Sequence, residues 1–420
     1  MISPWPKRHV VVGLTFLGCV IAYTDRVNIS VAAVAMKEHF GWSQTEKGMV
    51  LSAFFVGYML CMFVAGLLAT RFGGKRVATS AVLIWSIFTL LTPLAANLSM
   101  PALIGARVTM GMGEAGLFPA TYELFSRWVP LIERARAAGR FVSGIPLGTV
   151  IGLTASAWLV AHFGWPMPFY VFGILGLLWM TLWFRHVKND PRDDPSVGSD
   201  ERDLLGTLRG ADGASGVHVP FRRLLCRWPV FAVLAGQFAS AWTLYVLLSW
   251  LPSYFRDVQG LSIASAGLFS AAPWLAMAVA TNLGASLSDR MIRDGASVTN
   301  VRKLMQCGGL IASAGFLLAT RAAHSPAAAL MLLIGATAAL GVTWCGFAPG
   351  ILDIAPRHCG VMVGFTNTIG QIPGIIGVAV TGWLVDITGT YSAAFVSAAV
   401  ISVSGAVVFG SLFNARPLIE

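Results

Sequence analysis

Four ionisable residues stand inside stretches that otherwise carry almost no charge. Asp25 and Arg26 lie in Tyr23-Thr-Asp25-Arg26-Val-Asn28, and Arg107 and Glu114 lie seven apart in a run of small and apolar residues. Of the 19 acidic residues, only Asp25 and Glu114 fall near the middle of an apolar run. A carboxylate at such a depth costs several kcal/mol unless it faces a cavity, is paired or is protonated. Burial disfavours the charged form of a carboxyl group, so both are candidates to carry a proton. The arginines supply the complementary chemistry, because a guanidinium fork matches the two oxygens of an anionic ligand. Arg107 and Glu114 are almost two helical turns apart and share a face. Asp25 and Arg26 are adjacent, so their side chains diverge by about 100° and serve different neighbours. The competing reading of all four is a set of fixed ion pairs that hold helices together.

The elements that position these groups are membrane helices. The chain has 420 residues, 56% of them hydrophobic and 11% charged, with a mean hydropathy of +0.72. Soluble domains are nearer half apolar and a quarter charged. The apolar residues come in runs of about 20, the length of helix that crosses a bilayer core. Runs without in–out alternation select helices over a barrel. Hydropathy predicts spans near 9–35, 48–70, 77–97, 101–126, 137–161 and 167–185, then near 229–255, 264–288, 303–321, 326–350, 359–386 and 391–413. Between the sets, residues 186–228 gather Asp190, Asp193, Asp194, Asp200, Glu201 and Asp203 among Pro, Gly and Ser, which reads as a solvated cytoplasmic linker with a short surface helix. The expected fold is all-α: twelve transmembrane helices as an N-terminal six-helix bundle (1–185), the linker (186–228) and a C-terminal six-helix bundle (229–420).

The charge of +10 is topological. Apart from Arg26 and Arg107, the Lys and Arg residues gather on the side of the termini, leaving only Lys37, Lys47, Arg256 and Arg321 opposite. By the positive-inside rule both termini are cytoplasmic, and a nucleic-acid partner is not expected. The segment after Met1 reads as a first span without a cleavage site. Cys19, Cys61, Cys226, Cys307, Cys345 and Cys359 form no CxxC pair, and no histidine falls mid-span, so neither metal nor cofactor is expected. Gly111-Met-Gly113-Glu-Ala-Gly116 fits a dinucleotide fingerprint only in letters, since it lies inside an apolar helix and reads as close helix packing. No nucleophile–base set points to an enzyme.

The halves carry matched landmarks. Gly66-Leu-Leu-Ala-Thr70-Arg71-Phe-Gly73-Gly-Lys75-Arg76 follows the second span, and Asp289-Arg290 follows the eighth; Pro130 to Arg136 precedes the fifth span and Pro356-Arg357-His358 the eleventh. Such duplication is a mark of secondary transporters with a midplane site. The stretch Gly66 to Arg76 resembles the loop motif of the major facilitator superfamily, G-x-x-x-D-R-x-G-x-R-R, with Thr70 in place of Asp. In that resemblance Gly66, Arg71, Gly73, Lys75, Arg76, Asp289 and Arg290 belong to the gating loops. Tyr23 to Asn28, Phe40-Gly-Trp42-Ser43, Arg107 to Pro119, Trp128 to Arg134 and Leu352 to Arg357 are similar to the anion:cation symporter family, which holds the galactonate-type sugar-acid transporters and the sialin and vesicular glutamate transporter group.

The resemblance implies proton-coupled uptake of an organic anion, a sugar acid or other small carboxylate, through alternating access in a cell inner membrane by a monomer. It implies that Arg26 or Arg107 binds the carboxylate and that Asp25 and Glu114 couple protons. Tyr23 and Asn28 flank the Asp25–Arg26 pair and are candidates to line the same site. Gln237 and Asn367 match pattern positions for substrate hydrogen bonds, and Tyr245 and Gln371 are further polar candidates within second-half spans. Ile145 and Ala348 replace polar groups of the galactonate-type pattern, which opens the site to a shorter or more apolar carboxylate. An exchanger or uniporter driven by the substrate gradient alone remains the alternative, and a ligand sensor is a third reading.

Overall fold

The computed structural model describes residues 6–207, 227–355 and 359–418; within them all regular structure is helical. Cys226, Pro356-Arg357-His358 and the second part of the linker lie outside the described residues. The first half contains α1 (Lys7–Phe40), α2 (Gln44–Phe72), α3 (Gly74–Leu98), α4 (Met100–Glu114), α5 (Leu117–Trp128), α6 (Leu131–Val142), α7 (Gly144–Phe163) and α8 (Met167–His186). A short helix, α9 (Ser199–Thr207), stands in the linker. The second half contains α10 (Trp228–Asp257), α11 (Ile263–Arg293), α12 (Val298–Ala319), α13 (Pro326–Ile354), α14 (Cys359–Ile369), α15 (Ile372–Thr388) and α16 (Ser392–Leu412).

Among the described residues, eleven segments are long and apolar enough to cross a membrane, among them Leu131–Phe163 and Met362–Thr388, each of which is interrupted. The twelfth expected span, near 101–126, is divided into α4 and α5, of 15 and 12 residues. The cause is local. Ala115 and Gly116 close the turn onto Gly111 and Gly113, and Pro119 in the first turn of α5 has no N–H to continue the ladder. The α6–α7 and α14–α15 interruptions likewise precede Pro146 and Pro373. These two stand at corresponding places in the two halves, the fifth and eleventh spans. Broken membrane helices expose polar groups only where protein or a cavity receives them.

The chain divides into two compact units. Unit 1 is Met1–Asn28, Ala53–Gly152 and Pro166–His218, and unit 2 is Ile29–Ser52, Leu153–Trp165 and Val219–Glu420. In unit 1, α2 and α4 approach backbone to backbone. A Cβ on Gly57 would stand 1.8 Å from the Val108 carbonyl oxygen, and one on Gly111 would stand 2.1 Å from that of Phe54. This is the close packing that small residues permit in membranes. It brings the aromatic face of α2 against the Arg107–Glu114 face of α4.

The described part of the linker is less solvated than its composition predicts. Asp194, Val197 and Leu205 are buried. Glu201 accepts from the backbone N–H of Lys7 and Arg8, the open first turn of α1, and from the Arg8 side chain, which also binds Glu133. Acidic residues favour helix N-termini because the first N–H groups have no partner within the helix. Burial alone would raise Asp194, but hydrogen bonds from Ser196 and the Lys7 ammonium at 3.5 Å outweigh it and hold its carboxyl below the usual range.

Candidate functional site

The four charged residues singled out by their depth all meet in unit 1, and all are buried. Asp25 is 0% exposed, Arg107 1%, Glu114 2% and Arg26 7%. From α1, Arg26 donates through Nε to Glu114 Oε1 at 2.8 Å and through Nη2 to the same oxygen. Glu114 closes α4, where the chain is about to break, and its second oxygen, Oε2, has no partner. Arg26 Nη1 also donates to the Tyr23 hydroxyl at 3.4 Å. The guanidinium lies over three rings, with centroids 4.6 Å away for Tyr23, 4.9 Å for Phe54 and 4.7 Å for Tyr58. Such faces attract a cation by about 1–2 kcal/mol each when water is excluded, while its N–H edge engages Glu114 and Tyr23.

Arg107 is held differently. Its Nη1 meets the Met110 sulfur at 2.9 Å, its Nε has no partner, and it makes no ion pair among the described residues. Its guanidinium lies 5.5 Å from the Phe54 centroid, so one ring stands near both arginines. Asp25 turns away from Arg26, as adjacent helical residues must, toward Trp85 of α3. Neither Asp25 oxygen accepts a well-formed hydrogen bond; Trp85 Nε1 is near but unpaired. Asn28, one turn beyond Asp25, is also fully buried with both amide atoms unpaired. Buried polar groups are ordinarily satisfied, which sets this cluster of unpaired atoms apart from the rest of the interior.

The second-half candidates are also brought together, in unit 2, as one neutral chain. Gln237 Nε2 donates to Asn367 Oδ1 at 3.1 Å, Gln371 Nε2 to the Asn367 carbonyl at 3.3 Å, and Tyr245 to Gln371 Oε1 at 3.0 Å. The chain sits on the α14–α15 break, where a Cβ on Gly370 would stand 2.9 Å from Gln237 Nε2. Gln237 is 8% exposed and its Oε1 has no partner. Trp250 and Trp274 are buried, and Trp344 is exposed.

The loop-motif residues stand apart from the charged cluster. Gly73 takes φ 85° between α2 and α3, a conformation that favours glycine. Thr70 donates within its own turn, to the Leu67 carbonyl. The acid at this corner is Glu123 of α5, which accepts from the Gly74 N–H at 2.6 Å and pairs with Arg127. Lys75 lies over Phe184, and Arg71 and Arg76 are exposed. Gly66 has open space around it. Asp289 and Arg290 are exposed, with Arg290 facing Asp294 at 3.8 Å.

Phe54, Tyr58 and Trp85 belong to the site and were not among the residues read from sequence. The spacing of Phe54 and Tyr58, one turn apart on a face of α2, is a signal that could have found them. Lys47, read as a loop charge, is fully buried. Among the described residues, no group of His, Cys, Asp and Glu is placed to hold a metal.

The Major Facilitator Superfamily pattern matches residues 15–378. In sequence the chain is similar to the probable anion transporter 4, chloroplastic, of Oryza sativa subsp. japonica, at 37% identity over all of this chain and 71% of that protein. It is similar to the chloroplastic sodium-dependent phosphate transport protein 1 of Arabidopsis thaliana at 36%, over all of this chain and 82% of the relative. The chloroplastic ascorbate transporter of Arabidopsis thaliana is 35% identical, over all of this chain and 78% of its own length. In fold the chain is similar to a bacterial homologue of the human lysosomal transporter Spinster, with a TM-score of 0.75 at 20% identity over 96% of this chain and 95% of that one. The D-xylose–proton symporter gives a TM-score of 0.75 at 15% identity, over 97% of this chain and 99% of that one.

Proposed function

From the premise that the chain belongs to the major facilitator superfamily and is a multi-pass membrane transporter, we propose that it takes up a small organic anion together with protons. The observation that carries this reading is the unequal pairing of four buried charges: Arg26 is bound to Glu114, while Arg107 and Asp25 have no ion-pair or hydrogen-bonded partner of opposite charge among the described residues. The cluster sums to zero with both acids ionised. A proton on Glu114 removes the charge that holds Arg26, and the freed fork, beside Arg107, then presents two cations to an anion. One proton per negative charge keeps the buried cluster neutral through the cycle, and burying net charge is what a low dielectric penalises most. Proton and anion thereby favour each other's binding, the reciprocity that symport needs. Relatives named for anions, phosphate and ascorbate support an anionic cargo. The paired amides and Tyr245 in unit 2 are suited to hydroxyl or carbonyl groups of an organic anion rather than to charge. Sugar acids and other small carboxylates are the class we favour, carried by a monomer. The Lys and Arg asymmetry supports a cell inner membrane with both termini cytoplasmic.

The test is uptake into proteoliposomes of ascorbate, phosphate, sugar acids and small carboxylates under a proton gradient, a sodium gradient, or neither. Accumulation that follows the proton gradient and stops with a protonophore supports symport. In the Glu114→Gln variant, gradient-driven uptake should vanish while exchange of substrate across the membrane persists. Loss of exchange in that variant, or uptake indifferent to the proton gradient in the unmodified protein, overturns the coupling. The second outcome would leave an exchanger or a sodium-driven carrier in its place.

A further inference from the structure

Unit 2 holds one more amide, which the proposed cycle does not use. Gln306, in the middle of α12, is 0% exposed. An amide at membrane depth is costly unless its polar atoms are matched, and here they are. Its Nε2 donates to the Gly236 carbonyl at 3.1 Å and to Ser240 Oγ at 3.2 Å, and its Oε1 accepts from the Phe347 N–H at 3.1 Å. Ser240 in turn donates to Thr343 Oγ1 at 3.0 Å, and Thr343 to the Leu340 carbonyl at 2.7 Å. The direction of these bonds is set by chemistry. A backbone N–H only donates and a carbonyl only accepts, so turning the amide over would set like against like at both ends. Two glycines make the room: a Cβ on Gly236 would stand 3.1 Å from Gln306 Nε2, and one on Gly346 2.6 Å from Gln306 Cβ.

Gly236 and Ser240 bound one turn of α10, and Gln237 belongs to that turn. Gln237 sends its own side chain to Asn367 at the α14–α15 break. The turn is thus shared by two networks of opposite character. The one reached from α12 is complete: Gln306, Ser240 and Thr343 each have their donors used and an acceptor filled. The other ends on Gln237 Oε1, which has no partner. A complete polar network fixes one arrangement of the helices that share it, whereas apolar packing tolerates small rotations and loses uniqueness first. We propose that Gln306 is a positioning residue: by holding Gly236 and Ser240 it fixes the rotation of the α10 turn, and so aims Gln237 at Asn367 and at the transported anion. For the contact with the anion this rests on the proposed function; for the geometry of the turn it does not. The proton has no part in it, so coupling is left unchanged.

The first measurement needs no substrate. Hydrogen exchange is followed in the full chain in lipid, unmodified and as Gln306→Leu, Gln237→Ala and both together. Residues 366–371 carry the partners of Gln237, so their exchange reports how well it is aimed. Gln306→Leu is expected to speed exchange there by about fivefold or more. Residues 264–274 of α11, in the same unit, should be unchanged. Gln237→Ala should act in the same way, and the double variant no more than the stronger single one, because the two residues lie on one path. Ser240→Ala removes only one of the bonds to Gln306 and is the variant to use if Gln306→Leu does not fold; it should move exchange in the same direction by about twofold. In proteoliposomes, Gln306→Leu should raise KM for gluconate about fivefold, with kcat and the response to the proton gradient unchanged. Unchanged exchange at 366–371, equal acceleration at 264–274, or additive effects in the double variant would each overturn the positioning role. Failure of the unmodified protein to carry gluconate would count against the sugar-acid reading alone, and the exchange measurement would still decide the positioning.

Discussion

The cluster of site candidates in unit 1 is made of charges, and the cluster at the α14–α15 break of unit 2 is made of amides and a tyrosine. Asp25, Arg26, Arg107 and Glu114 are each more than nine-tenths buried, with orphaned atoms on three of them. Gln237, Asn367, Gln371 and Tyr245 form a neutral chain in which one acceptor, Gln237 Oε1, is left over. The difference is one of energy scale. An unmatched charge at membrane depth is worth several kcal/mol, an unmatched amide about 1–3. Under the proposed function, the charged cluster of unit 1 would bias the cycle and the amides of unit 2 would tune the substrate.

The comparison breaks most readily at the ion pair. Arg26→Ala should lower stability by about 3–5 kcal/mol, because it strands Glu114 as a lone buried carboxylate. Uptake of any anion should fall to background. Replacing both partners, as Arg26→Met with Glu114→Leu, should return most of the stability and none of the transport. Thermal unfolding and proteoliposome uptake on the same preparations separate the two, and a single variant of normal Tm would refute the pair's structural weight.

A smaller effect is expected in unit 2. Gln237→Ala removes one amide hydrogen bond, worth about 0.5–1.5 kcal/mol. It should raise KM for a hydroxylated anion roughly threefold to tenfold, without changing the dependence of uptake on the proton gradient. A change in that dependence would show that the amide chain shares in coupling. Next comes Phe54→Leu, which keeps the volume and removes the ring near both arginines. A loss of about 1–2 kcal/mol in anion affinity is expected, to be read as KM against kcat, with Phe54→Tyr restoring it. The smallest effect lies at the linker. Asp194 sits below its ordinary range, so the stability it adds is present above the unfolded value and is lost as pH falls through the folded one. Hydrogen exchange at residues 191–197 should rise only below about pH 4, and Asp194→Asn should exchange faster at neutral pH.

Much of this was set by the order of residues along the chain. Apolar runs of bilayer length fix helices, since no other open structure satisfies its backbone in lipid, and the run lengths fix where the helices lie. Pro119, Pro146 and Pro373 write the breaks into the sequence, although hydropathy alone merges each broken pair into one span. The candidate charges were legible for the same reason: an ionisable side chain is so costly in an apolar run that its presence announces a use. Folding decided which charge met which. The one-residue step from Asp25 to Arg26 sends them to different helices, but that Arg26 reaches Glu114 while Arg107 stays unpaired depends on the approach of α4 to α2 through Gly57 and Gly111. Lys47 was illegible because its cost is visible only from its surroundings. It sits near a span end, where a lysine ordinarily reaches water, and Ser253, Trp250 and the backbone contact at Gly382 come from more than 200 residues away to bury it. Local sequence states what a side chain costs in lipid; only the tertiary structure states who shares that cost.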